Sequence, residues 1–296
     1  METRQFGKTD MQVSVLGFGG SEIRGSDVND VAQLLGSALD SGLNVIDTAA
    51  CYGDSEELIG KAVAQRRDDY YLFSKCGHAA GLPYEDWDPR TIEESIERSL
   101  RRLRTDHLDL IQLHSCSLDI LRQGEVVPIL EKAKRAGKVR YIGYSGDNEN
   151  ARYAIGMNVF DSLQTSISIA DQQGIDFTLP KAIERGMGII AKRPIANAAW
   201  VPESLPKNAY GYPYRERLQQ LDYDFLHQGT DVSIATALRF TLSVPGVCVA
   251  IVGTAKPSRW QQNAAYVNQG MLSKEQYESI RAIWEERVDQ HWLTQG

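Results

Sequence analysis

Four polar side chains in the first half of the sequence are of the kinds that transfer or direct protons in enzymes. Asp47, Lys75 and His114 each end a short apolar run, and Tyr52 lies five residues beyond Asp47. A tyrosine hydroxyl has a pKa of about 10, so it exchanges protons at neutral pH only when a nearby cation favours its ionised form. Lys75 can supply that cation, and a carboxylate such as Asp47 can keep the lysine charged. With His114 as a hydrogen-bond donor to a substrate oxygen, the set predicts a proton relay at a carbonyl or alcohol.

Short apolar runs that alternate with helix-period segments determine where these side chains lie. The runs predicted as strands are 44–47, 70–74, 108–113, 139–144, 162–167, 187–191 and 247–252, preceded by a strand that includes Val13 to Leu16. They are continuously apolar, which is typical of parallel strands buried on both faces. Eight such strands predict a single (β/α)8 TIM barrel, one domain over residues 1–296, with its active site at the carboxyl ends of the strands.

An open doubly wound sheet is the alternative architecture for the same alternation. Such a sheet carries a G-x-G-x-x-G turn after its first strand, and Gly17-Phe18-Gly19-Gly20 does not have that spacing. In the barrel, Asp47, Lys75 and His114 converge on one mouth. Each alone also fits a structural role, as a helix cap, a surface charge or a core histidine, so their joint placement is what predicts a site.

Other segments complete the predicted barrel. The first 20 residues predict an N-terminal β-hairpin. Helices are predicted over 27–41, 88–104 and 179–185, and an extra C-terminal helix is predicted from Ser273 onward. The stretch 197–230 is aromatic and longer than a typical connection, which favours a lid over the site.

Composition excludes several classes of protein. Lys and Arg number 32 against 39 Asp and Glu, a formal charge of −7, which argues against a nucleic-acid binder. No apolar run reaches the roughly 18 residues of a membrane span. The first ten residues lack the apolar centre of a secretion signal, so we expect a cytoplasmic protein that does not bind membranes.

The four cysteines form no C-x-x-C pair and are predicted to be reduced thiols. Cys51, Cys76 and Cys116 lie within two residues of candidate site residues. They form either an oxidation-sensitive cluster or a set of buried inert thiols, and the second is the commoner case. No metal site is expected, because His78 and His114 lack ligand-like spacing with a carboxylate pair.

The segment from Val45 to Gly60 resembles the signature of the aldo-keto reductase family. The resemblance extends over essentially the whole chain and includes the segments 4–20, 74–75, 110–114, 142–145 and 251–259. It implies that Tyr52 is the general acid, that Lys75 and Asp47 lower its pKa, and that His114 orients the carbonyl. The implied reaction is hydride transfer between NADPH and an aldehyde or ketone.

The resemblance also implies the cofactor contacts. Ser145 and Gln164 match the residues that hydrogen-bond the nicotinamide carboxamide, and Gly253, Thr254, Arg259 and Asn263 match the segment that holds the adenosine end. The other predicted contacts are Gly19, Gly20, Arg193, Lys256 and Gln262. A guanidinium binds a ribose phosphate through charge-assisted, bidentate hydrogen bonds. Arg259, with Lys256 and the Thr254 hydroxyl, therefore favours NADP(H) over NAD(H).

Three features of the site stay open at this point. Gly146 replaces the usual Asn, so one carboxamide contact is missing or is supplied by Asp147 or Asn148. Arg193 stands where relatives often have an aromatic residue, and its guanidinium either stacks on the nicotinamide or meets the pyrophosphate. In the substrate pocket, Trp87, Ile23 and the aromatic residues of 197–230 either contact an apolar substrate or serve packing.

Two other functions are compatible with these residues. The same fold could work in the oxidative direction as a sugar or alcohol dehydrogenase, for which comparable affinities for NAD and NADP would be expected. A cofactor-occupied regulatory protein of the potassium-channel β-subunit type shares the fold and the four residues, but the sequence shows no long N-terminal extension. The predicted partner is a small-molecule carbonyl substrate, and no heptad pattern indicates an oligomeric state.

Overall fold

The computed structural model describes residues 1–289, 291, 292 and 294. Its strands are β1 Thr3–Gln5, β2 Gln12–Ser14, β3 Leu16–Gly19, β4 Val45–Asp47, β5 Tyr71–Cys76, β6 Leu108–His114, β7 Val139–Ser145, β8 Ser162–Ser166, β9 Gly188–Lys192 and β10 Val247–Val252. Its helices are α1 Val28–Asp40, α2 Ser55–Val63, α3 Pro89–Leu103, α4 Leu118–Gln123, α5 Val126–Arg135, α6 Asn148–Met157, α7 Gln173–Phe177, α8 Leu179–Glu184, α9 Tyr212–Leu221, α10 Thr230–Ser243, α11 Pro257–Val267 and α12 Lys274–Arg287.

Eight parallel strands, β3 to β10, close into a barrel, and β10 pairs with β3. At least one helix lies between successive barrel strands. The predicted (β/α)8 barrel is therefore confirmed. The register places Lys75 beside Gln112 and His114 beside Ser145, so polar side chains near the carboxyl ends of different strands become neighbours.

An antiparallel hairpin of β1 and β2 covers the amino-terminal end of the barrel. Its Phe6 is fully buried, with the ring centroid 5.5 Å from that of Phe73. The prediction of one strand through Val13 to Leu16 is wrong. The chain changes partners at Val15, whose N–H donates to Glu2 of the hairpin while its carbonyl accepts from Ala250 of the barrel.

The Phe6 ring gives a test of how much the hairpin stabilises the barrel. Phe6→Ala is expected to lower the free energy of unfolding by about 3 kcal/mol or more, because it leaves a cavity between the hairpin and the barrel core. Urea unfolding followed by circular dichroism measures the change. Lys274→Ala, at an exposed position of α12, is the control and should change stability by less than about 1 kcal/mol.

Side-chain caps explain where the predicted helices begin. The Asp27 carboxylate accepts from the backbone N–H of Asn29 at 2.7 Å, and Asp88 accepts from that of Arg90 at 2.8 Å. Ser273 begins α12 with a capping box. These caps satisfy backbone donors that have no partner inside the helix, so the helix starts can be predicted from sequence. Within the described residues, no helix is both long and apolar enough to cross a membrane.

The long connection after β9 is not a continuous lid. Part of it forms α9, and Tyr214, Leu218 and Tyr223 are buried in the core. The lid prediction is wrong for these residues because their side chains pack inward. Tyr210, by contrast, is 57% exposed and borders the cavity described next.

Candidate active site

An open cavity of about 930 Å³ is lined by all four candidate catalytic residues, Asp47, Tyr52, Lys75 and His114. Of the predicted cofactor contacts, Gly19, Gly20, Ser145, Gln164, Arg193, Gly253, Arg259 and Asn263 line the same cavity. Thr254, Lys256 and Gln262 do not belong to its wall. The volume is in the range of small-molecule sites, about 300 to 1,000 Å³.

Lys75 and Asp47 form a buried ion pair at the base of the cavity. The lysine Nζ lies 2.5 Å from Asp47 Oδ2 and donates to the Thr48 carbonyl at 2.8 Å. Burial is the largest single influence on the pKa of Lys75 and lowers it, but the Asp47 carboxylate together with Tyr52 and Cys51 more than offsets that effect. The pKa is therefore raised and the lysine stays charged. Gln112 Nε2 donates to the other Asp47 oxygen at 3.2 Å. Gln112 was not predicted as a site residue, although an amide side chain within an otherwise apolar strand could have indicated one.

Tyr52 lies over this pair. Lys75 Nζ is 5.2 Å from the centroid of the Tyr52 ring, and the His114 ring meets the tyrosine edge-on at 5.5 Å. Burial raises the pKa of Tyr52, and the Lys75 charge only partly opposes it. The prediction that Asp47 also lowers this pKa is wrong, because a carboxylate disfavours a second negative charge nearby. Tyr52 therefore holds its proton at neutral pH.

His114 is an uncharged imidazole. Burial, reinforced by the positive charge of Lys75, lowers its pKa well below the ordinary value. Its Nδ1 lies 3.3 Å from Cys51 Sγ, and the ring of His78 is 5.4 Å from its own. A neutral imidazole can donate one hydrogen bond without carrying charge into the site.

Hydrogen bonds fix the loop that carries Tyr52. Ser55 Oγ donates to the Gly20 carbonyl at 2.7 Å and lies 2.9 Å from Thr48 Oγ1. A Cβ on Gly20 would lie 2.8 Å from Ser55 Oγ, so only glycine fits this approach. Arg102 of α3 donates to the Ala50 carbonyl at 3.3 Å. The tyrosine is thus positioned by contacts with the end of β3 and with α3.

Gln164 has the hydrogen-bonding capacity that a carboxamide needs. Ser145 Oγ donates to Gln164 Oε1 at 2.9 Å, and both side chains are buried. Gln164 Nε2 is buried with no partner among the described residues. A buried donor without a partner is costly unless a ligand satisfies it. The pair fits one amide group of a nicotinamide.

The carboxamide contact that Gly146 cannot make is not supplied by its neighbours. Asp147 and Asn148 were the predicted substitutes, but both side chains form hydrogen bonds with other residues of the protein. Asp147 is buried, pairs with Lys192 at 2.7 Å and accepts from Thr165 Oγ1 at 2.7 Å. Asn148 exchanges two hydrogen bonds with the backbone of Thr294. Neither side chain is therefore available for a carboxamide. The Lys192 pairing was not predicted, since it joins two parts of the barrel that are distant in sequence.

Arg193 reaches the cavity from a strained backbone position. It has φ 54°, a left-handed conformation uncommon for a residue with a side chain. Its Nη1 donates to Ser166 Oγ at 2.7 Å, and its Cζ lies 5.0 Å from the centroid of the Tyr210 ring. These contacts hold the guanidinium at the cavity wall. Both predicted roles, stacking and pyrophosphate binding, stay predictions.

The far end of the cavity combines an exposed cation with a buried amide. Arg259 is exposed, and Asn263, one turn later on α11, is 1% exposed. Neither amide atom of Asn263 has a partner among the described residues. Thr254 has a different task, because its Oγ1 accepts from the backbone N–H of Lys256 at the start of α11. Lys256 and Gln262 are exposed.

The remaining candidates serve packing. Ile23 is fully buried in the core. Trp87 packs so closely on Gly77 that a Cβ there would lie 2.2 Å from the indole. Burial raises the pKa of the Cys76 and Cys116 thiols, that of Cys116 to about 12, which favours inert thiols over an oxidation-sensitive cluster. In the described part of the chain, no three His, Cys, Asp or Glu side chains are grouped to hold a metal ion.

Comparisons with known proteins agree with this geometry. A model of the Aldo/keto reductase family matches residues 15–285. The uncharacterized oxidoreductase YqkF of Bacillus subtilis is 28% identical, covering 95% of this chain and 96% of that protein. L-galactose dehydrogenase of Arabidopsis thaliana is 27% identical, covering 99% of this chain and 97% of that protein.

A solved structure shows the same architecture. The holo form of aldo-keto reductase AKR11C1 from Bacillus halodurans has a TM-score of 0.85 and 28% identity, covering 98% of this chain and 99% of that one. The family match extends over most of the barrel, including the strands and loops that carry the four candidate catalytic residues. This chain therefore belongs to the aldo/keto reductase family.

Proposed function

We propose that this chain is a single-domain, NADPH-dependent reductase of aldehydes and ketones in which Tyr52 is the general acid. The observation that carries the proposal is the buried Lys75 and Asp47 pair beneath a protonated Tyr52 beside His114, at one cavity. This arrangement places one proton donor, one fixed cation and one neutral hydrogen-bonding ring around a common space. Such a set suits protonation of an oxygen on which negative charge develops.

The residues along the cavity fit a nicotinamide dinucleotide. Two side chains that line the cavity have buried amide atoms without a hydrogen-bond partner among the described residues. These atoms are Nε2 of Gln164 and both amide atoms of Asn263. The family resemblance assigns Gln164 to the nicotinamide end of the cavity and Asn263 to the adenosine end. Gly19 and Gly253 approach so closely that a Cβ on Gly253 would lie 2.9 Å from the Gly19 carbonyl. When bound, NADPH would supply the hydride.

The protein side of the reaction is proton delivery. Tyr52 donates its hydroxyl proton to the carbonyl oxygen of the substrate, and Lys75 stabilises the tyrosinate that remains. Asp47 keeps Lys75 charged, and Gln112 holds Asp47 in place. His114 donates a hydrogen bond to the same substrate oxygen and orients it.

Oxidation of a sugar or alcohol is the second candidate, favoured by the likeness to L-galactose dehydrogenase. In that direction Tyr52 must accept a proton, and burial raises its pKa. We therefore expect oxidation to accelerate as the pH rises and reduction to dominate at neutral pH.

The proposed function is tested by titrating the purified protein with NADPH and NADH while following protein fluorescence, and then assaying aldehydes and ketones by loss of reduced-cofactor absorbance. Tight NADPH binding with turnover of several carbonyls supports the reductase. Tight binding without turnover in either direction contradicts it and favours a cofactor-occupied regulatory protein.

The choice of NADPH over NADH is predicted to depend on Arg259. Arg259→Ala should raise the Kd for NADPH by about tenfold, the effect of losing one charge-assisted hydrogen bond of roughly 1.5 kcal/mol, and should leave the Kd for NADH nearly unchanged. Fluorescence titration measures both constants. Arg101→Ala, an exposed arginine outside the cavity, is the matched control. This role would be contradicted if the wild type binds NADPH and NADH with equal Kd and Arg259→Ala changes neither value.

A further inference from the structure

Cys51 is a half-buried thiol to which the proposed chemistry assigns no role, although its neighbours Tyr52 and His114 both line the cavity. It directly precedes Tyr52, in a loop where Ala50 N–H donates to the Lys75 carbonyl at 3.1 Å and Tyr52 N–H donates to the Ala49 carbonyl at 3.0 Å. These bonds hold the thiol against the imidazole, with Cys51 Sγ 3.3 Å from His114 Nδ1. The contact is within hydrogen-bonding distance for sulfur.

We propose that Cys51 is a positioning residue: its S–H donates to His114 Nδ1, which leaves the ring hydrogen on Nε2 for the substrate oxygen. The inference rests on the proposed function, because it assigns the tautomer in which His114 can orient a carbonyl. Cys51 acts only through His114 and has no contact with the reacting atoms.

The direction of this hydrogen bond follows from the ionisation of the two groups. Burial raises the pKa of the Cys51 thiol above its ordinary value, although the charge of Lys75 partly opposes the shift, so the sulfur keeps its proton. Burial also keeps His114 neutral. Between a neutral thiol and a neutral imidazole, the ring nitrogen is the better acceptor, because sulfur accepts hydrogen bonds weakly.

Among the described residues, no second hydrogen-bond partner competes for the His114 ring. His78 is the nearest other imidazole, and its Nδ1 is engaged with Asp86 Oδ2 at 2.7 Å. The opposite tautomer would place a hydrogen on Nδ1 and a lone pair on Nε2. That lone pair would repel a carbonyl oxygen instead of binding it, so the tautomer determines whether His114 helps the reaction.

The chain contains five histidines, few enough for the His114 signals to be resolved. The experiment is a two-bond nitrogen–proton correlation spectrum of full-length protein labelled with 15N at histidine, which distinguishes Nδ1–H from Nε2–H, with His114→Asn used for assignment. Wild type and Cys51→Ser, which keeps a donor in place, are expected to show the Nε2–H form. Cys51→Ala is expected to show a mixture of both tautomers.

Kinetics supply the second measurement. Cys51→Ala should lower kcat for carbonyl reduction by about five- to tenfold, the effect of losing one modest hydrogen bond, with the Kd for NADPH unchanged. Cys51→Ser should restore kcat to within about threefold of wild type, since it keeps the donor. Cys248→Ala removes a buried thiol on β10, outside the cavity lining, and is the control for general loss of packing.

A wild-type spectrum with hydrogen on Nδ1, or a Cys51→Ala spectrum and kcat equal to those of wild type, would overturn the inference. The spectrum requires neither substrate nor cofactor. If wild type lacks reductase activity but shows the Nε2–H form that Cys51→Ala loses, the proposed function fails and the assignment of the thiol to His114 survives.

Discussion

Tyr52→Phe is expected to lower kcat for carbonyl reduction by about 1,000-fold, because it removes the hydroxyl proton of the ring that lies over Lys75. The phenyl ring fills the same space, so the site should keep its shape and the Kd for NADPH should change less than about twofold. Stopped-flow measurement of NADPH oxidation at saturating substrate gives kcat, and fluorescence titration gives Kd. A variant with normal kcat would exclude Tyr52 as the general acid.

A matched control and a pH profile separate the loss of a proton donor from a packing defect. Tyr84→Phe removes a hydroxyl that contacts Glu94, outside the cavity lining, and should leave kcat unchanged. Because burial raises the pKa of Tyr52, wild-type reduction should be nearly constant through neutral pH and fall only when alkaline pH ionises the tyrosine. Oxidation of the product alcohol should show the opposite trend.

Lys75→Met is expected to damage both stability and activity. Both members of the pair are 2% exposed, so removing the lysine leaves a buried Asp47 charge whose remaining side-chain hydrogen-bond donor, among the described residues, is Gln112. Breaking a buried pair in this way typically lowers the free energy of unfolding by about 3 to 5 kcal/mol. Without the cation, Tyr52 loses the group that stabilises its ionised form, and kcat should fall by about 100-fold or more.

The double variant Asp47→Asn/Lys75→Met tests whether the unpaired Asp47 charge is what destabilises the Lys75→Met variant. It removes both charges, so it should recover roughly half or more of the lost stability while kcat stays low. Urea unfolding and stopped-flow kinetics measure the two quantities on the same preparations. Wild-type turnover in the double variant would show that the ion pair has no catalytic role.

The strands and helix starts could be predicted because their signals are local. Apolar runs define the barrel strands, and Asp27 and Asp88 each cap a helix from a position beside it in sequence. Asp47 and Lys75 could be paired because parallel strands end at one face of a barrel. The boundary between β2 and β3 was missed because Val15 divides its hydrogen bonds between two sheets, which an apolar run does not reveal.

Contacts between residues that are distant along the chain could not be predicted from the sequence. The Lys192 and Asp147 pair joins β9 to the loop after β7, and Gln112 reaches Asp47 across the barrel interior. The net rise in the pKa of Tyr52 could not be predicted, because burial is its largest cause and the depth of burial depends on the fold. Likewise, the cysteine before Tyr52 became informative only when its distance to His114 Nδ1 was known.

Direct hydride transfer to a carbonyl carbon is the central claim, and isotope labelling tests it most directly. The purified protein is incubated with an aldehyde and NADPH that carries deuterium at both C4 positions of the nicotinamide, and the product alcohol is analysed by mass spectrometry and NMR. We predict one deuterium on the carbinol carbon of the product in wild type and no product above background in Tyr52→Phe. An alcohol without deuterium at that carbon, or no alcohol from any aldehyde or ketone despite tight NADPH binding, would contradict the assignment.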